Sequence, residues 1–175
     1  MRPIPIALIS FVAGLLLLPL AVYLYLAFGH PPVATGDKPF PFEARIVRIP
    51  LRARIAREMP ARSPIPATDE NLNAGASLYE DKCEFCHGAA DAPSAVGRST
   101  FPCAPQLWIR RPNGTVGVSN DPVGETYWKI KNGIRLTAMP AYGSSLTETQ
   151  LWQVSLLLSQ ANKPLPAEAA RTVGR

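Results

Sequence analysis

Cys83-Glu84-Phe85-Cys86-His87-Gly88 is the stretch on which the fold turns. Two thiols stand three positions apart, and a histidine follows the second at once. Half of a zinc site is one reading, but a structural site of the Cys/His type needs a second ligand pair. Only Cys103 remains among the cysteines, and the one other histidine, His30, lies far upstream in an apolar stretch. A thioredoxin-type redox pair is a second reading, but it belongs to a βαβ pattern that this chain lacks.

The third reading is covalent attachment of a c-type haem, for which Cys-x-x-Cys-His is the signature. Cys83 and Cys86 can reach the two vinyl groups of one porphyrin, and His87 then turns its imidazole to the iron. The iron needs a sixth ligand or an open position. Met139 is the only methionine downstream of the motif, and it lies in Gly133-Ile-Arg-Leu-Thr-Ala-Met139-Pro140. A methionine before proline in an irregular loop is a poor helix-face filler. A thioether is a soft ligand suited to iron in electron-transfer proteins.

Three helices are expected around these residues. The first spans 69–82, with Thr68 or Asp69 as cap, acidic residues in its first turn, and Leu72, Ala76 and Tyr79 on one face. Gly75 on that helix leaves room for another to approach. The second spans 122–132, opened by Asp121-Pro122 and stopped by Asn132-Gly133, with Val123, Tyr127 and Ile130 at helical spacing. The third spans 148–160, where Thr147 and Gln150 fit a capping box and Leu151, Trp152, Val154, Leu156 and Leu158 form a broad apolar face. Residues 88–120 form a long loop rich in Gly, Pro, Ser and Asn, a length that is unusual unless the loop surrounds something. No strand pattern and no internal repeat stands out.

Working outward to the N-terminus, residues 3–29 carry no charge, and Ile4–Phe28 reads IPIALISFVAGLLLLPLAVYLYLAF. A helix of that length, at about 1.5 Å per residue, crosses a hydrocarbon core of about 30 Å with some tilt. Gly14 and Pro19 are expected to loosen it, which transmembrane helices tolerate. Tyr23 and Tyr25 sit near the far end, where an aromatic belt belongs. A cleaved signal peptide competes, but its apolar region is normally about 7–15 residues. Ala7, Ser10, Ala13 and Gly14 offer a small-residue face for packing against other helices. Flanking charges do not choose an orientation: Arg2 lies at one end, and Lys38, Arg45 and Arg48 lie beyond the other.

The charge is uneven. Residues 37–62 hold seven Lys/Arg against three Asp/Glu, while residues 68–162 hold seven against nine. The net +5 therefore describes a segment, and a nucleic-acid-binding face on the folded body is excluded. Eight of the 19 prolines fall between residues 31 and 66. That density favours extended chain, with Pro50 breaking any helix across EARIVRIPLRARIAREMPAR. A solvated spacer is the expectation; attraction to anionic lipid or an acidic partner is the sharper alternative. The domain reading is thus an anchor over 1–30, a proline-rich basic connector over 31–67, a folded body over 68–162 and a flexible tail over 163–175.

CEFCHG at 83–88, FPCAPQL at 101–107, YWKIKNGIRLTAMPAYG at 127–143 and LWQVSLLL at 151–158 together resemble a class I mono-haem cytochrome c in its membrane-anchored bacterial form. The resemblance covers about residues 70–160. It implies an all-α fold around one covalently bound haem c, preceded by a single transmembrane helix. It implies Cys83 and Cys86 as thioether attachments, His87 as proximal ligand and Met139 as distal ligand. It implies that the first and last helices of the body cross, near Gly75 and Tyr79 against Trp152, and that loop 101–107 walls the haem and supplies a carbonyl to orient His87. Cys103 departs from the family, which tends to have proline there; a small buried hydrophobe is the expectation, and redox sensing or intermolecular pairing the functional alternative. Arg110, Arg111 and Arg135 could meet haem propionates or simply face water, with Arg135, near Met139, the better candidate for a propionate.

The implied function is electron transfer with both axial positions filled, so not an enzyme. Haem attachment of this kind occurs on the outer side of the bacterial inner membrane, which implies a periplasmic body and redox-protein partners as donor and acceptor. Two rivals stand beside a lone carrier in the respiratory chain. One is a cytochrome c subunit of a larger membrane oxidoreductase complex. The other is a haem peroxidase or ligand-binding protein in which Met139 leaves the iron.

Overall fold

The computed structural model describes residues 3–175; Arg2, a flank in the orientation argument, lies outside the described residues. The chain forms two compact units, one ending at Pro41 and the other Phe42–Arg175. Among the described residues all regular structure is helical, with one isolated bridge between Arg110 and Val116.

The first unit is dominated by α1 (Pro3–Phe28), which runs unbroken through Gly14 and Pro19. Its described side chains are almost all exposed, and Ile6–Phe28 is long and apolar enough to cross a membrane. An apolar helix with no buried face has no core to join within its own unit, and its length and composition fit a membrane anchor as they also fit a signal sequence.

The second unit is built on α3 (Asp69–Lys82), α6 (Val123–Asn132) and α7 (Glu148–Ser159). α3 starts where expected: the Thr68 side chain accepts from the Asn71 N–H. α7 starts on a complete capping box between Thr147 and Gln150. Leu151, Val154, Ser155 and Leu157 on α7 are at most 1% exposed, as are Ala76 and Tyr79 on α3. Each large aliphatic side chain buried this way contributes about 1.5–3 kcal/mol. α3 and α7 meet at Gly75, where a Cβ would overlap the backbone carbonyl of Gln153. The expected crossing is therefore present, but its aromatic partners differ. Trp152 stacks on Tyr127 of α6 with centroids 4.1 Å apart, while Tyr79 meets Trp108 edge-on at 5.5 Å.

Two expectations are corrected. Pro50 does not break the connector: α2 runs Glu43–Glu58 with Pro50 inside it. Proline removes one helical N–H and crowds the carbonyl four residues earlier. Here both Ile46 and Pro50 are exposed, so water can take the freed carbonyl. The C-terminal half of α2 is held by tertiary contacts. Ile55 is 4% exposed, the Trp128 indole donates to Glu58 at 2.9 Å, and Gly124 lets α6 approach the Pro60 backbone. The connector is thus partly a docked helix of the folded unit.

Nor is the tail loose. α8 (Ala167–Thr172) packs on α3, with Ala169 and Val173 fully buried. Asn73 fastens it: its Oδ1 accepts from the Ala169 N–H at 3.0 Å, and its Nδ2 donates to Glu168 at 2.9 Å. The Ala90 N–H donates to the Val173 carbonyl at 2.9 Å, tying the tail to the start of the long loop.

Candidate functional site

α3 ends at Lys82, and the motif follows as a single further turn, α4 (Glu84–His87), bounded by Gly88 at φ 71°. A four-residue helix leaves its C-terminal carbonyls without partners of its own. Residues from elsewhere in the chain supply them. Ser94 Oγ donates to the Phe85 carbonyl at 2.6 Å, and Gln106 Nε2 to Cys86 at 3.3 Å. The Leu107 N–H donates to His87 at 3.2 Å, and Tyr79 O–H to Gly88 at 2.6 Å. Four consecutive carbonyls are thereby fixed from three sides. Gly97, in the short turn α5 (Ala95–Arg98), lies so close to the Cys86 carbonyl that a Cβ would overlap it.

His87 Nδ1 is 2.8 Å from the Pro105 carbonyl. A carbonyl only accepts, so the neutral ring carries its proton on Nδ1 and leaves the Nε2 lone pair free to ligate. Burial holds this imidazole below its ordinary value, against an opposing pull from the Pro105 hydrogen bond. The neutral, ligating form is therefore favoured.

Met139 enters from the segment after α6. Gly133, at φ 65°, turns the chain out of the helix and stands against the Met139 and Pro140 backbone. Thr137 Oγ1 donates to the Ile134 carbonyl at 2.7 Å and accepts from the Met139 N–H at 3.1 Å. The Ile134 N–H donates to the Met139 carbonyl at 3.3 Å. The loop is closed on itself around the methionine, which is half-buried against the core.

Cys83, Cys86, His87 and Met139 all line one cleft of about 1110 Å³, its open mouth included. Leu107, Ile130, Val154 and Leu158 give it an apolar floor. The expected loop wall is present too: Pro102 to Pro105 lie along the cleft. The donor set fits a c-type haem: two thiols on adjoining turns, an imidazole with a free Nε2, a thioether and apolar walls. Cys83 is unsuited to thiolate chemistry, since burial foremost, then Cys86, pushes its thiol up to about 12. Among the described residues no three His, Cys, Asp or Glu side chains converge to hold a metal ion.

One side chain differs from expectation. Cys103 is exposed, not buried: it lies on the cleft wall between exposed Pro102 and half-buried Ala104, and its Sγ–H points at the Arg98 carbonyl at 3.2 Å. Arg135 is exposed and outside the cleft lining, while Arg110 is spent on Gly114 and Asn162. Lys82 and Lys129 are the cations that border the cleft. Sequence reasoning also missed the anchoring roles of Gln106, Ser94 and Gly97. Their partners are set by the path of the loop, and no spacing rule announces them.

Residues 70–156 match the family model described as cytochrome c oxidase, cbb3-type, subunit III. No curated protein and no solved structure matches the chain.

Proposed function

The chain carries a cytochrome c domain over residues 70–156, and from that premise we propose that it is a membrane-tethered one-electron carrier of the bacterial periplasm, built on a single covalent haem c. One Cys-x-x-Cys-His occurs in the sequence, which supports one haem. Cys83 and Cys86 would hold the porphyrin, with His87 and Met139 at the two axial positions. When bound, that group supplies a one-electron iron couple. The chain's own part is positional: the Pro105 carbonyl orients His87, the 133–140 loop presents Met139, and the apolar floor excludes water.

The observation that carries this reading is the convergence of the Cys83–His87 motif and the distant Met139 on one apolar cleft. Were His87 and Met139 both to ligate the iron, no position would be left for oxygen or peroxide. That favours electron transfer over the peroxidase reading. Phe85, between the thiols, and Leu136, before Met139, are 73% and 81% exposed. They give the segments bordering the cleft apolar surface suited to small, transient contacts with redox proteins. α1, uncleaved, would confine the carrier to the membrane plane. The test is redox-titrated visible spectroscopy of the membrane-extracted protein beside Met139→Ala. Loss of a sulfur-to-iron band, a lowered potential and new carbon monoxide binding in the variant are expected. An unchanged spectrum and potential refute the ligand assignment.

A second reading is favoured by the family description: the chain as the cytochrome c subunit of a cbb3-type oxidase, with α1 packed against other helices through its small residues. Extraction in mild detergent separates the two. A lone carrier runs at the size of one chain, and a subunit co-purifies with oxidase activity.

A further inference from the structure

The basic residues of α2 are not scattered around the helix. Arg45, Arg48 and Arg52 recur at i, i+3 and i+7, which places them on one stripe. Ile46, Ile49 and Ala53 follow the same spacing one position on, and so form the neighbouring stripe. The face that docks on the body is a different one, carrying half-buried Leu51, buried Ile55 and Glu58. Arg54 is committed to that inner side, closing on Glu58 at 2.9 Å and over the Trp128 ring. On the outer side Ile46 is 62% exposed and Ile49 64%, and Phe42 just before the helix is 69% exposed, with the Arg45 guanidinium over its ring. Solvent alone gives no reason for two isoleucines and a phenylalanine beside three arginines.

The chain itself supplies the reason for a bilayer. α1 ends at Phe28 and α2 begins at Glu43, so 14 residues separate them. Fully extended, that segment reaches roughly 50 Å. α2 is therefore never far from whatever surface α1 enters. An arginine stripe flanked by bulky apolar side chains is the pattern of a helix lying at a lipid interface. We propose that the outer face of α2 docks on the anionic surface of the bilayer that α1 spans, with Arg45, Arg48 and Arg52 on lipid phosphates and Ile46, Ile49 and Phe42 among the headgroups. This rests on the anchor in the preceding reading but on neither the haem nor its ligands. Because α2 is also fastened to α6, docking fixes how the cytochrome body stands on the membrane, and the connector is an orienting strut.

The experiment uses the full chain in nanodiscs of pure phosphatidylcholine and of phosphatidylcholine with phosphatidylglycerol, followed by amide hydrogen exchange across residues 43–53. Each arginine near an anionic surface favours the docked state by about fivefold. Exchange at least about tenfold slower in the anionic discs is therefore expected. The slowing should vanish in R45Q/R48Q/R52Q, whose exposed positions leave the fold intact, and in the native chain at high salt. Equal exchange in both lipids overturns the proposal, and that is also the result if the stripe serves an acidic protein. Carbonate washing of phosphatidylcholine vesicles reads the anchor separately. If the chain washes off, the anchor reading fails, and docking is then read by co-sedimentation. Retention on phosphatidylglycerol vesicles alone sustains docking, and no retention on either lipid refutes it.

Discussion

Tyr79→Phe is the substitution whose cost follows most directly from the structure. Tyr79 is fully buried, and its hydroxyl donates to the Gly88 carbonyl at 2.6 Å, one residue past His87. Phenylalanine keeps the ring and so keeps the edge-on contact with Trp108. What is lost is one hydrogen bond, and a carbonyl on a buried residue is left without a partner. An unsatisfied buried acceptor costs about 1–3 kcal/mol. For a unit of this size that is a fall in melting temperature of roughly 3–6 °C per kcal/mol. Tyr142→Phe is the matched control, because its hydroxyl donates at 2.7 Å to the carbonyl of exposed Lys82, where water can substitute. Guanidinium unfolding of both variants, followed by far-ultraviolet circular dichroism, should show a loss above 1 kcal/mol for Tyr79→Phe and under about 0.5 kcal/mol for Tyr142→Phe. Equal small losses would show that Gly88 has another partner, and the account of how the motif is held would fail.

Other outcomes follow from the same contacts. Gly75→Val should part α3 from α7, because the added side chain meets the Gln153 backbone, and backbone cannot swing aside; the loss should exceed about 3 kcal/mol in the same melt. Val173→Ala should cost about 2 kcal/mol, two methyl groups' burial plus a cavity, whereas a loose tail would lose nothing measurable. Glu58 accepts from Trp128 and from Arg54, and these hold its carboxyl below the ordinary 4.5. A depressed carboxyl stabilises the fold above 4.5, and that stabilisation is lost as pH falls through the folded value. Melting temperature measured from pH 6 to 3 should therefore fall less steeply below 4.5 in Glu58→Gln; because Glu58 is exposed the difference is small, and parallel curves would remove the role.

Much of this was legible in the residues. The termini of α3 and α7 are written locally, in Thr68, Thr147 and Gln150, and their apolar faces repeat over three or more turns. α6 starts one residue later than expected, with Pro122 as the cap, within the usual ambiguity of helix ends. Cys83, Cys86 and His87 are adjacent in sequence, so their meeting needed no fold. Met139 did need one: its place before proline in an irregular loop marks it in the sequence, and the fold sets it on the same cleft. What escaped was set by tertiary contact. α2 contradicts the local rule at Pro50 and is held by Ile55 and Glu58 against α6. α8 has six residues, too few for a period to be read, and its burial comes from Asn73 and Val173. Cys103 looked apolar by type, but its exposure is set by where loop 101–105 runs along the cleft.

Intact-mass measurement under denaturing conditions tests the central claim most directly. Protein made in a host that matures c-type cytochromes should carry the mass of one porphyrin that acid and organic solvent do not remove. Cys83→Ala/Cys86→Ala should lose it entirely. A colourless polypeptide at its bare sequence mass, from a host shown to mature another such protein, would contradict the account.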